Sequence, residues 1–125
     1  MKDNEFVMAI DQGTTSSRTI IFDHQYSIQA ISQIDLTQYF PHTGWVEHSP
    51  DEIWQSTVKT AQQAMRKNDI DASQVASLGI TNQRETTIIW NKRTGKPIYN
   101  AIVWQDRRTS NYCDTLKNQG LEKTI

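Results

Sequence analysis

The sequence is poor in the features that would settle its class at once. It has one cysteine, Cys113, in 125 residues, which rules out an internal disulfide framework and is ordinary for a cytoplasmic protein. No apolar run approaches the ~20 residues needed to cross a bilayer. The opening, MKDNEFVMAI, has acidic residues ahead of a short apolar stretch, unlike a signal peptide. Charge is balanced, with 13 basic and 14 acidic residues and a formal net charge of −1. With no basic stripe, neither nucleic acid nor an anionic membrane is suggested as a partner. Internal repeats and low-complexity segments are also missing. The expectation is one soluble, cytoplasmic domain, long enough to bury a core.

What is present begins with a continuous apolar run. Phe6 to Ile10 predicts a strand over 5–12, buried on both faces. Arg18 to Phe22, rich in β-branched residues, predicts a second strand. Ile28, Ala30, Ser32, Ile34 and Leu36 alternate with mostly polar residues and predict a half-exposed third. Short turns between them imply an antiparallel meander. The loop YFPHTGWVEHSP leads into a helix start, with Ser49 as N-cap, Pro50 at the first position and Glu52 completing a capping box. Ile53, Trp54, Thr57, Val58, Ala61, Ala64 and Met65 follow at helical spacing, to an end near Lys67 and Asn68. Further strands are predicted over 75–81, 86–90 and 99–105, with a hairpin-type turn at NKRTGK. A last helix is predicted from about Asp106, with Tyr112, Cys113 and Leu116 on one side. Together these imply an α/β domain with a mixed sheet.

Within the first turn, DQGTTSSR places four hydroxyl residues between an aspartate and an arginine. A tight turn needs a glycine, not such a crowd of polar groups. Gly13 lets a ligand approach the backbone. The hydroxyls of Thr14, Thr15 and Ser16, with the turn's amides, are donors suited to phosphate oxygens. Arg18 adds a permanent, forked charge, and Asp11 could hold the water shell of Mg²⁺. The Walker pattern is absent, so this is not a P-loop. A merely polar hairpin tip is the plainer alternative for this stretch alone.

A second cluster, GITNQRETTIIW, sets Gln83, Arg84 and Glu85 right after a strand expected to be buried, where loops form the ligand crevice of α/β sheets. Adjacent Arg and Glu suit the grip of a polyol; a solvated turn with an incidental ion pair is the alternative. Trp104, at another predicted strand end, reads on its own as a core tryptophan.

Taken together, DQGTTSSR, GWVEH, EIW, GITNQRETT, TGKPIYNAIVWQ and RRT closely resemble the N-terminal region of the bacterial glycerol kinases, a branch of the FGGY carbohydrate kinases. The resemblance runs from about Phe6 to the last residue. It implies the ribonuclease H-like fold of actin, hexokinase and the heat-shock ATPases, and residues 1–125 as the first part of the first kinase domain. It implies ATP or ADP and Mg²⁺ as cofactors, with glycerol phosphorylated to sn-glycerol 3-phosphate, the first step of glycerol use. By position, Thr14, Thr15 and Ser16 match the loop that receives the nucleotide's phosphates, Arg18 a nucleotide contact and Asp11 the metal-associated aspartate. Thr14, Arg84, Glu85 and Trp104 match the substrate side, Trp104 as an aromatic wall. The general base, a second phosphate loop and the adenine pocket are expected downstream, so this chain alone is expected to be inactive. A homo-oligomer is expected of the full-length enzyme. Another polyol or sugar kinase of the same family, and a non-catalytic actin-like module, are the competing readings.

The remaining candidates have plain expectations. His24, His42 and His48 are too scattered for a zinc site and are expected on the surface or in loops. Cys113 is expected in the core, Asp106 at a helix start, and Trp45 against the first helix. Met1 to Glu5 is expected to fray.

Overall fold

A computed structural model of the chain describes residues 5–124. Of the segment expected to fray, only Glu5 falls within that range. The chain opens with β1 (Phe6–Gln12), β2 (Ser16–Phe22) and β3 (Ile28–Asp35). β1 pairs antiparallel with β2, Ile10 opposite Thr19 and Asp11 opposite Arg18, and β2 pairs antiparallel with β3. The meander stands as expected, although β2 begins two residues earlier than its β-branched run suggested. Strand periodicity then divides the side chains. Met8, Ile10, Ser17, Thr19, Ile21, Ala30 and Ser32 share one face and are buried. Asp11, Ser16, Arg18 and Gln33 share the other.

Helix α1 (Pro50–Lys67) lies over the buried face, against β2 and β3. The Ser49 hydroxyl caps it by accepting from the Glu52 amide at 3.3 Å. The reciprocal half of the expected box is diverted, because the Glu52 carboxylate accepts from the Tyr39 hydroxyl at 2.6 Å. The inward stripe is Ser56, Thr60 and Ala64, one position round from the larger side chains that the apolar spacing favoured. Trp54 faces solvent at 69 % exposure. Small residues let helix and sheet approach closely enough for hydroxyl pairs to span the gap. Ser17 meets Ser56 at 2.8 Å, Thr19 meets Thr60 at 3.0 Å, and Ser32 donates to Gln63 at 2.7 Å. Met8, Ile10, Ile21, Ala30, Ala64 and Ile70 form the apolar core beside these pairs.

After α1 the chain returns as β5 (Val75–Asn82), parallel to β1, giving the mixed order β3-β2-β1-β5. β5 was expected to be buried and is not: Leu78 and Ile80 are 53 % and 69 % exposed. They continue the row of Met8 and Ile10, beyond the strip that α1 covers. Residues 86–90 form no strand. Their strand pairing is limited to single bridges, Thr87 to Ile102 and Trp90 to Pro97, although the intervening turn closes as expected from Asn91 to Lys96. The strand expected over 99–105 shrinks to β6 (Ala101–Ile102), whose partner β4 (Glu47–His48) was missed inside a segment read as loop. Helix α2 (Ser110–Asn118) starts later than expected and buries nothing, so Cys113 is exposed. Among the described residues no helix is long and apolar enough to cross a membrane.

Candidate active site

At the carboxyl ends of the parallel pair β1 and β5, the two following turns diverge and leave a crevice, as open α/β sheets do. A cleft of about 390 Å³ lies there, lined by Gly13, Thr14, Asn82, Gln83, Arg84, Glu85 and Trp104. The structure thus gathers Thr14, Arg84, Glu85 and Trp104, the four residues that the resemblance matches to the substrate side, around one opening. Trp104 is not a core tryptophan. It is 54 % exposed, and its indole N–H donates to the Thr14 hydroxyl at 3.0 Å, across 90 residues of chain. That bond fixes the ring plane against the cleft. Glu85 sits at φ 57°, a left-handed conformation that is uncommon for a non-glycine residue and clusters at functional sites.

Asp11, Ser16 and Arg18 stand beside this cleft on the open face of the sheet. Asp11 and Arg18 are cross-strand partners, yet the Arg18 Nε donates to Gln33 at 2.8 Å, leaving the Asp11 carboxylate without a side-chain partner among the described residues. The hairpin is tight. The Gly13 amide donates to the Ser16 carbonyl at 2.9 Å, and a Cβ on Gly13 would come within 3.2 Å of that same oxygen and 4.0 Å of Asp11 Oδ1. Ser17 is the exception in the hydroxyl series: it is fully buried and bonded to Ser56. Thr14 accepts from Trp104, Thr15 and Ser16 have no side-chain partner among the described residues, and the fourth hydroxyl belongs to the helix interface.

The turn that carries Trp104 is braced by a group of charges. Arg108 pairs with Glu47 at 2.7 Å and with Asp106 at 2.8 Å, and both carboxylate side chains are only 3 % exposed. Tyr99 and Asn100 also donate to Glu47, and the Val46 amide donates to Asp106 at 2.7 Å. The Arg108 guanidinium lies 3.8 Å over the Trp45 ring, and His42 meets that ring edge-on. Trp45 thus packs on Arg108 and His42. Asp106 is not a helix-start residue; α2 is preceded by Thr109. Its bonds to Arg108 hold its carboxyl down at about 2, which makes it a poor proton acceptor near neutral pH. The same hydrogen bonding, with Asp106 first, pushes Arg108 up.

His48 also departs from expectation, being 1 % exposed. Sequence reasoning missed Glu47, His48 and Arg108 as parts of the site's support. Their only signals were the GWVEH string, for Glu47 and His48, and the RRT string, for Arg108, both matched in the resemblance but left without a chemical role.

The relatives agree with this architecture. A family model for the N-terminal domain of the FGGY family of carbohydrate kinases matches residues 6–125. The chain belongs to that family. Among relatives of this FGGY domain, the glycerol kinase of Sinorhizobium fredii is 57 % identical over 96 % of this chain and 24 % of its own. That of Shewanella woodyi is 59 % identical over 97 % of this chain and 24 % of its own. The FGGY chain described here therefore spans about a quarter of the length of these relatives. A crystal structure of Plasmodium falciparum glycerol kinase with ADP superposes with a TM-score of 0.80 at 33 % identity, over 90 % of this chain and 22 % of that one. Xylulose kinase from Lactobacillus acidophilus superposes with a TM-score of 0.87 over 96 % of this chain and 24 % of that one. At 19 % identity it shows the shared FGGY fold alone.

Proposed function

We propose that this chain is the substrate-gripping and phosphate-receiving part of an ATP-dependent glycerol kinase, one that makes sn-glycerol 3-phosphate. The observation that carries the reading is the single cleft that collects Thr14, Arg84, Glu85 and Trp104. Glycerol is almost all hydroxyl. Arg84 donates to its oxygens and Glu85 accepts from its O–H groups, so an analogue lacking a hydroxyl leaves one of them unpaired. The Trp104 face covers the C–H side and keeps water out.

Beside this grip, Gly13 admits a phosphate close to the backbone, and Thr14, Thr15 and Ser16 with Arg18 supply donors and charge to ATP or ADP. The residues present fit Mg²⁺. Asp11 is exposed, has no side-chain partner among the described residues and lies next to Gly13, and Mg²⁺ takes few carboxylates because it keeps its waters. When bound there, the ion neutralises charge on the transferring phosphoryl group. Residues 1–125 are read as the first part of the first kinase domain, in a full-length enzyme that is cytoplasmic and homo-oligomeric. Asp106 is spent on Arg108, so the general base is assigned to later residues.

The test is a phosphorylation assay with Mg-ATP and a panel of small polyols, run on the natural full-length chain and on residues 1–125. Glycerol-selective turnover by the long chain and none by the short one is the expected outcome. Preference for a pentitol or pentulose would move the assignment to a sister kinase. Turnover by residues 1–125 would mean the base lies within them.

A further inference from the structure

Beneath the cleft runs a buried hydrogen-bonded chain that the roles above do not use. The Thr86 hydroxyl donates to Gln83 Oε1 at 3.0 Å. That turns the Gln83 amide nitrogen inward, where it donates to His48 Nδ1 at 3.2 Å and to Gln12 Oε1 at 3.4 Å. With Nδ1 accepting, the ring carries its proton on Nε2, which donates to Gln38 Oε1 at 2.8 Å. Gln38 then donates to the Thr14 carbonyl at 3.1 Å, and Gln12 donates to the Gly13 carbonyl at 2.9 Å. Every donor meets an acceptor in this one arrangement. Both branches end on the hairpin tip, and their branching point, Gln83, immediately precedes Arg84 and Glu85. Gln12, Gln83 and His48 are 8 %, 7 % and 1 % exposed, so little water competes for the bonds among these three.

We propose that His48 is a positioning residue that couples the Arg84–Glu85 loop to the Gly13–Thr14 turn, and that it does so only as the neutral, Nε2-protonated ring. The inference rests on the reading of the cleft as a polyol site. A second proton would set an Nδ1–H against the Gln83 amide N–H, donor facing donor. Burial pushes the His48 pKa down, with Glu52 on α1 pulling the other way. On β4 the adjacent Glu47 is directed to the opposite side of the strand and is taken up by Arg108, Tyr99 and Asn100. Gln38 and Gln83, the groups bonded to the ring, are neutral.

The test begins with ¹⁵N NMR of the histidine-labelled full-length chain at neutral pH. An unprotonated Nδ1 with a protonated Nε2 is expected; an Nδ1–H tautomer or a charged ring would overturn the proposal. It continues with His48→Leu, which removes both bonds, and His48→Gln, which can still donate to Gln38 and accept from Gln83. His48→Leu is expected to raise the glycerol KM about tenfold, the worth of a buried hydrogen bond, and to raise the KM for ATP less, because Thr15, Ser16 and Arg18 lie outside the hydrogen-bonded chain. His48→Gln is expected to recover most of that loss. Equal effects of the two substitutions, or a loss of stability with both KM values unchanged, would refute the coupling. Should the wild-type chain fail to phosphorylate glycerol, the polyol reading falls, while the imidazole spectrum still decides the tautomer.

Discussion

The molecule has two polar interiors, and they are built differently. Between α1 and the sheet the polar groups are paired hydroxyls, Ser17 with Ser56 and Thr19 with Thr60, set among regular elements. Helix and strands already satisfy their own backbone groups, so these hydroxyls serve mainly one another and the nearest helix carbonyls. Under the cleft, the segment from Gln83 to Arg108 has almost no regular structure. Around it the Asp106 carboxylate accepts from the Val46 and Arg108 amides, Glu47 holds the Arg108 guanidinium, and Gln12 and Gln38 donate to the Gly13 and Thr14 carbonyls. The first interior decorates a scaffold; the second is the scaffold.

The sharpest way to break that contrast is Arg108→Met. It leaves Glu47 and Asp106 buried without their cation, and should cost about 3–5 kcal/mol in urea denaturation of the natural full-length chain. Acid should act on the same region next. Asp106 has its pKa lowered to about 2 in the folded state, so its contribution is present above the ordinary carboxylate value and is lost as pH falls from ~4 towards 2. Amide hydrogen exchange at Val46 and Arg108 should accelerate in that window before exchange in β2 does.

A smaller effect, of opposite sign, is expected at Glu85. Replacing it by Gly relieves the left-handed backbone and should raise stability by up to about 1 kcal/mol, while glycerol binding by calorimetry is lost. Smallest of all is the double substitution Thr19→Val with Thr60→Val. Both partners of a buried bond go together and the shape stays, so the change in midpoint should correspond to less than about 1 kcal/mol. A large loss there would show that the two interiors are not so different.

The same division decided what could be read in the sequence. β1, β2, β3 and α1 follow from local rules: an apolar run, alternation, and Ser49 ahead of Pro50. Thr14, Arg84, Glu85 and Trp104 were legible through resemblance, and the fold does bring them together. What failed was whatever depended on a partner far along the chain. Residues 86–90 have strand-like composition but too few hydrogen-bonding neighbours to form a strand. Leu78 and Ile80 look buried until the width of α1 is known. His48 looked ordinary because its partner Gln83, at 35 residues' separation, cannot be found from spacing; Asp106 bonds Arg108 two residues on, but its bond to Val46 and Arg108's to Glu47 span 60 and 61 residues.

The pairing of β1 with β5 also sets an order of events as the chain folds. β1 to β3 can zip up from neighbouring turns, but β5 must close a loop of more than sixty residues before it meets β1, and such non-local contacts form late. The indole of Trp104 has farther still to travel before it reaches Thr14. A ligand held by both would therefore recognise only chains in which these two long-range contacts are in place.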